Sequence, residues 1–154
     1  MARFYDVDSG AVRVGGHDVR EFTVDSLLRN FSMVFQDVYL FNDTLEANIA
    51  FGTAGATHEQ VVEAAKRARC HDFISALPNG YDTIVGEGGA SLSGGERQRI
   101  SIARALLKDA PIVVLDAATG SIDPENEQLI QQALTELTRE RAVVVIAHRP
   151  ATIE

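Results

Sequence analysis

The chain has 154 residues, a formal net charge of −8, and 45% hydrophobic against 23% charged residues. That balance fits one modest globular domain and excludes disorder, and the acidic excess argues against nonspecific binding to nucleic acid or to an anionic membrane surface. The single cysteine, Cys70, forbids an internal disulfide and reads as a packed small side chain in a reducing compartment. No apolar run approaches the ~20 residues of a membrane-spanning helix, and the N-terminus carries no signal-peptide pattern.

In chain order, the first third reads as short strands and turns. Asp8-Ser9-Gly10 and Gly15-Gly16 are turns around a short strand over 11–14, and Phe31 to Phe35 forms a strand that stops at Gln36. From Thr44 to Leu77 the pattern is helical. Thr57 is an N-cap with Gln60 three residues on, and Val61, Val62, Ala65 and Ala68 form an apolar stripe. Pro78-Asn79-Gly80 is a turn, glycines cluster from Gly86 to Gly95, and a helix runs from about Glu96 to Lys108. The runs Ile112 to Leu115 and Ala142 to Ala147 are apolar without alternation, as in parallel strands covered on both faces. Pro124 to Arg139 reads as the helix between them, giving a strand–helix–strand unit with a right-handed crossover.

The chemistry concentrates in a few motifs. Leu92-Ser93-Gly94-Gly95-Glu96-Arg97-Gln98-Arg99 places a hydroxyl and glycine amides at the positive end of a helix, where phosphate oxygens bind. Ser-Gly-Gly alone reads as a glycine-rich turn and cap. The full octet resembles the signature motif of the ABC ATPases. Asp116 ends an apolar strand and resembles the Walker B aspartate, and Gln36, Ser121-Ile122-Asp123 and His148 match the Q-loop, D-loop and switch histidine in the family's order. The resemblance covers essentially the whole chain.

Arg3-Phe4-Tyr5-Asp6, Leu40-Phe41-Asn42-Asp43-Thr44 and Val85-Gly86-Glu87-Gly88-Gly89 resemble the exporter subclass, the last being its X-loop, and argue against a DNA-repair or translation ATPase. The resemblance implies an α/β fold: a partial P-loop NTPase (RecA-like) parallel sheet with an inserted ABC α-helical subdomain. It implies a partial core over 1–36, a helical subdomain over 37–107 and a returning core over 108–154. It also implies MgATP, a second ATP-binding domain as homo- or heterodimer partner, and membrane-spanning domains at the cytoplasmic face. By the same resemblance, Asp116 and Gln36 would reach Mg²⁺ through water, His148 would sense the γ-phosphate, Ser93, Gly94 and Gly95 would reach the γ-phosphate held by the partner, and Asp123 would span the dimer interface. No nucleic-acid partner is implied.

Two departures stand out. No G-x-x-x-x-G-K-[ST] loop occurs, and the only lysines are Lys66 and Lys108. In the family that Walker A loop precedes the Arg-Phe-Tyr-Asp stretch, so the chain reads as cut at both ends. Ala117 stands where the family has the glutamate that polarises the attacking water, and Gly120 is also unusual. The expected function is a piece of an ABC exporter's ATP-hydrolysing subunit. The alternative is a catalytically degenerate module that donates its signature loop to a partner ATPase. Natural degeneracy in an asymmetric exporter, an altered sequence and a remnant gene all fit Ala117.

Overall fold

The structure is a computed structural model that describes Arg3 and residues 5–117 and 124–147. A two-residue hairpin, β1 (Arg13–Val14) and β2 (His17–Asp18), opens the described fold, so the strand expected over 11–14 is shorter than its apolar pattern suggested. Helix α1 (Val24–Leu28) starts at Thr23, whose hydroxyl accepts the Ser26 amide at 3.2 Å. It leads into β3 (Phe31–Val34), which ends two residues before Gln36.

The long helical stretch expected from Thr44 to Leu77 is three helices: α2 (Leu45–Ala50), α3 (His58–Arg67) and α4 (His71–Ala76). The breaks have local causes. Gly52 and Gly55 adopt positive φ after α2, and Arg69 does so after α3. Thr57 forms the expected capping box: its amide donates to Gln60 Oε1 at 2.9 Å, and its hydroxyl accepts the Gln60 amide at 3.4 Å. Of the expected stripe, Val61, Ala65 and Ala68 are buried with Ala64, while Val62 is half-buried.

A short ladder that periodicity did not reveal joins β4 (Asp43–Thr44) to β5 (Ile84–Val85). It brings the chain after Gln36 back beside the chain before the glycine cluster. Helix α5 (Gly94–Lys108) then crosses the molecule, packing against α2, α3 and β3. Strand β6 (Ile112–Ala117), helix α6 (Pro124–Thr138) and strand β7 (Ala142–Ala147) complete the described fold, with α6 also packed against α5.

The central sheet has the order β3-β6-β7, all parallel. Elements α2 to α5 lie between β3 and β6 in sequence, so the helical layer is an insertion into a parallel α/β core. Its main hydrophobic cluster runs from Leu40, Leu45 and Ile49 through Val61, Ile74, Ile100 and Leu106 to Ile130 and Leu137. Cys70 is fully buried there, and burial pushes its thiol up to about 12. A smaller cluster of Val19, Leu27 and Phe31 packs under the hairpin.

Strand β7 departs from expectation. Its run is apolar throughout, yet Val143, Val145 and Ile146 are 39%, 49% and 46% exposed, and among the described residues no strand pairs with its outer edge. Among the described residues, the pattern of a covered strand is present without the cover.

Ile102 is 0% exposed in the main cluster, whereas Val24 is 51% exposed. Ile102→Ala is expected to lower unfolding free energy by about 2–5 kcal/mol, and Val24→Ala by under about 0.5 kcal/mol. Urea denaturation followed by circular dichroism measures both, and similar midpoints for the two variants would contradict this packing.

Candidate functional site

The first feature of the site is the N-terminus of α5. The helix begins at Gly94, two residues earlier than its apolar pattern indicated, because Ser93 caps it. Ser93 Oγ accepts the Glu96 amide at 3.2 Å, and Glu96 Oε2 accepts the Ser93 amide at 2.7 Å. That box engages a lone pair of the Ser93 oxygen and leaves its O–H available to donate. The first-turn amides of α5 have no acceptor inside the helix, and its dipole adds positive potential there.

The two glycines differ. A methyl group on Gly94 would meet nothing within 4 Å, whereas on Gly95 it would meet Asn126 of α6 at 2.7–2.9 Å. Gly94 is therefore open to an approaching ligand, and Gly95 is small because a neighbouring helix presses on it.

The second feature is the C-terminal edge of the sheet. Val34 pairs with Leu115, and Ala117 with Ala147. The register thus brings exposed Gln36 level with Ala117, one residue past half-buried Asp116. Ligands of doubly wound sheets collect at this edge. Asp116 and Ala117 are the last two residues of β6, so the aspartate stands at the strand's C-terminal end as expected. His148 and Asp123 lie outside the described residues. Among the described residues, no three His, Cys, Asp or Glu side chains converge as a metal site.

Three arginines of α5 tie this helix to its surroundings, and sequence reading assigned none of them a role of its own. Arg97 donates to the Leu92 carbonyl at 2.7 Å and to the Gly89 carbonyl at 3.4 Å. Gly89 has φ +69° and lies so close to Arg97 and Leu40 that a Cβ there would sit 2.9 Å from each. Arg104, two turns along the same face, donates to the Asn48 and Tyr39 carbonyls and to Asn48 Oδ1, with its guanidinium near the rings of Phe41 and Phe51. Burial lowers its pKa to about 10. Arg99 points the other way and donates to Asn126 Oδ1.

The residues present fit a nucleotide from one side only. Ser93, the open Gly94 and the helix dipole suit phosphate oxygens, and Asp116 suits a hydrated cation. Neither lysine belongs to a glycine loop: Lys66 is in the last turn of α3, and Lys108, its pKa lowered by burial, donates to the Leu28 carbonyl at 3.0 Å. The described residues thus contain no cradle that encloses a triphosphate.

A family model described as ABC transporter matches residues 1–120. The chain is 54% identical over 155 residues to an ATP-dependent lipid A-core flippase of Vibrio cholerae, covering 100% of this chain and 27% of that protein. It is 52% identical to the flippase of Escherichia coli strain K12, with the same shares covered. A solved bacterial Atm1-family ABC exporter with ATP bound superposes with a TM-score of 0.87 and 46% identity, over 99% of this chain and 27% of that one. The fold is that of a P-loop NTPase core carrying a helical insertion. The chain belongs to the ABC transporter family, whose members bind ATP, generally with Mg²⁺, and it spans about a quarter of the length of these relatives.

Gly94→Ala is expected to be neutral or to stabilise by up to about 1 kcal/mol, since alanine is the better helix former and the space is open. Gly95→Ala is expected to cost about 1–3 kcal/mol through collision with Asn126. Equal unfolding midpoints in guanidinium would contradict the packing described.

Proposed function

We propose that this chain is the ATP-binding portion of an ABC exporter at the cytoplasmic face of a membrane. In this reading it works as one of two such domains and presents α5 to ATP held by the other. The observation that carries it is the N-terminus of α5, where a capped serine with a donor to spare adjoins an uncovered glycine. Ser93, Gly94 and Gly95 form the side offered to the partner's γ-phosphate, and Asp123 joins them across the interface. Gln36 and Asp116, at the sheet edge, hold Mg²⁺ through water, and the motif assigns His148 to sensing the γ-phosphate. The division into 1–36 and 108–154 as core and 37–107 as helical subdomain belongs to the same reading.

A further segment supplies the phosphate-binding glycine loop and its lysine. The edge of β7, unpaired among the described residues, supports this, because an unpaired edge accommodates one more parallel strand and the exposed apolar faces a covering layer. Membrane-spanning segments come from elsewhere as well, since among the described residues no helix is long and apolar enough to cross a membrane. The flippases among the relatives make an amphipathic lipid the first substrate class to test.

Ala117 has no proton acceptor for the attacking water, so this site binds and closes on ATP better than it cleaves it. It also favours a second reading, in which the chain is a non-hydrolysing subunit that lends Ser93 to a competent partner.

In the assembled transporter, Ala117→Glu is expected to raise MgATP hydrolysis by about 10²–10⁴-fold, the usual worth of a general base. An unchanged rate would remove position 117 from the reacting centre. The 154-residue chain alone is expected to show neither tight MgATP binding in calorimetry nor turnover, and tight binding would overturn the one-sided site.

A further inference from the structure

The described surface holds a concentration of positive charge that the nucleotide site does not use. Lys66, Arg67 and Arg69, at and just beyond the end of α3, face Gln132, Thr135 and Glu136 of α6 across a cavity of about 550 Å³. That volume is in the range of sites that take whole small molecules. Three cations line it against one carboxylate, in a chain whose net charge is −8. None of these residues belongs to the nucleotide site, and those of α6 lie ~9–15 Å along the helix from Asn126.

The charges are not needed to close the helix. The carbonyls of Ala64, Ala65 and Lys66 accept the amides of Ala68, Cys70 and Arg69 at 2.9–3.1 Å, so the backbone ends α3 without side-chain help. Arg67 is oriented by Glu136, whose Oε1 lies 3.0 Å from both Nε and Nη2. Among the described residues, neither the Lys66 ammonium nor the Arg69 guanidinium has a partner. Arg69 also has φ +58°, in the left-handed region that favours glycine. An exposed arginine there gives the fold nothing that glycine would not. Three like charges within four residues repel one another, and an anion between them relieves that repulsion. Gln132 adds a neutral amide donor from the opposite wall.

We propose that this cavity binds a soluble, phosphate-bearing small molecule, with phosphate oxygens on Lys66, Arg67 and Arg69. Three cations exceed what a single carboxylate balances, so the ligand is a polyvalent oxyanion. A guanidinium fork suits two oxygens of one phosphate, and Lys66 adds a mobile point charge. The bound group bridges α3 of the helical insertion and α6, which among the described residues are joined by one ion pair, Arg67–Glu136. It therefore acts as a second tie between insertion and core, separate from the nucleotide and from whether that nucleotide is cleaved.

The test is calorimetric titration of the intact transporter polypeptide carrying this sequence with inorganic pyrophosphate, in the absence of magnesium. Binding elsewhere in the polypeptide is common to parent and variants, so the differences between them read this cavity. Pyrophosphate is expected to bind here with a dissociation constant of about 1 mM or tighter, weakening as salt rises. Arg69→Gly is expected to weaken that binding about tenfold, the size of one charge-assisted contact. Its melting temperature is expected to equal or exceed the parent's, because glycine accepts φ +58° without strain. Lys66→Gln, at an exposed position, is expected to weaken binding by a similar factor at an unchanged melting temperature. Parental affinity in both variants would overturn the proposal. So would weakening found only in a variant that also melts earlier, since that residue would then serve the fold. Acetate binding as tightly as pyrophosphate would overturn the phosphate class.

Discussion

The position of α5 is the constraint on which the rest depends. Its apolar side contributes Ile100, Ile102, Ala103 and Leu106 to the main core, and Ser32 of β3 donates to its Ala105 carbonyl at 3.1 Å. Its arginines reach in two directions. Arg97 and Arg104 hold the backbone around Gly89 and Tyr39 on one side, and Arg99 holds α6 on the other. A shift of this helix therefore moves the glycine cluster, the segment after Gln36 and the start of α6 together. Packed interiors transmit such shifts because they have no slack to absorb them.

The sheet complements this arrangement with fixed points. Parallel register sets Asp116 and Ala117 at one edge through backbone hydrogen bonds to β7, with Gln36 two residues past the end of β3 on the same side. The molecule thus combines a rigid edge with a helix whose tip projects toward a neighbour. Such a division suits phosphoryl-transfer chemistry, in which most of the catalytic effect comes from where charges are held.

Much of this was legible in the residues. The capping boxes at Thr57 and Ser93 follow from a hydroxyl residue with Gln or Glu three positions on, and both are present. Strands β6 and β7 declared themselves by β-branched runs without alternation. The β4–β5 ladder did not, because two-residue strands carry no period to detect. Within 44–77 the break before Thr57 was marked by its cap and by Gly52 and Gly55, whereas the break at Arg69 was missed because a left-handed arginine carries no compositional marker of the kind glycine provides. In the candidate site, Ser93, Gly94 and Asp116 were readable from local pattern. Asn126 was not, since its importance comes from a helix met only after the chain has turned back, twenty-seven residues from Arg99. The cover expected over β7 followed from its pattern, but coverage depends on neighbours that a strand's own residues do not specify.

The helical insertion also shapes how the chain must be made. Val34 ends β3, and its first ladder partner does not appear until Ile112 opens β6. At ribosomal speeds of ~5–20 residues per second, β3 waits roughly 4–16 s for that partner. Helices α2 and α3 and the ladder that joins β4 to β5 can form in the interval from nearer neighbours, while an apolar strand stays unpaired behind them. The insertion that carries α5 to its place therefore makes the nascent chain a client for chaperones, and the yield of folded protein becomes sensitive to the rate of synthesis between Val34 and Ile112.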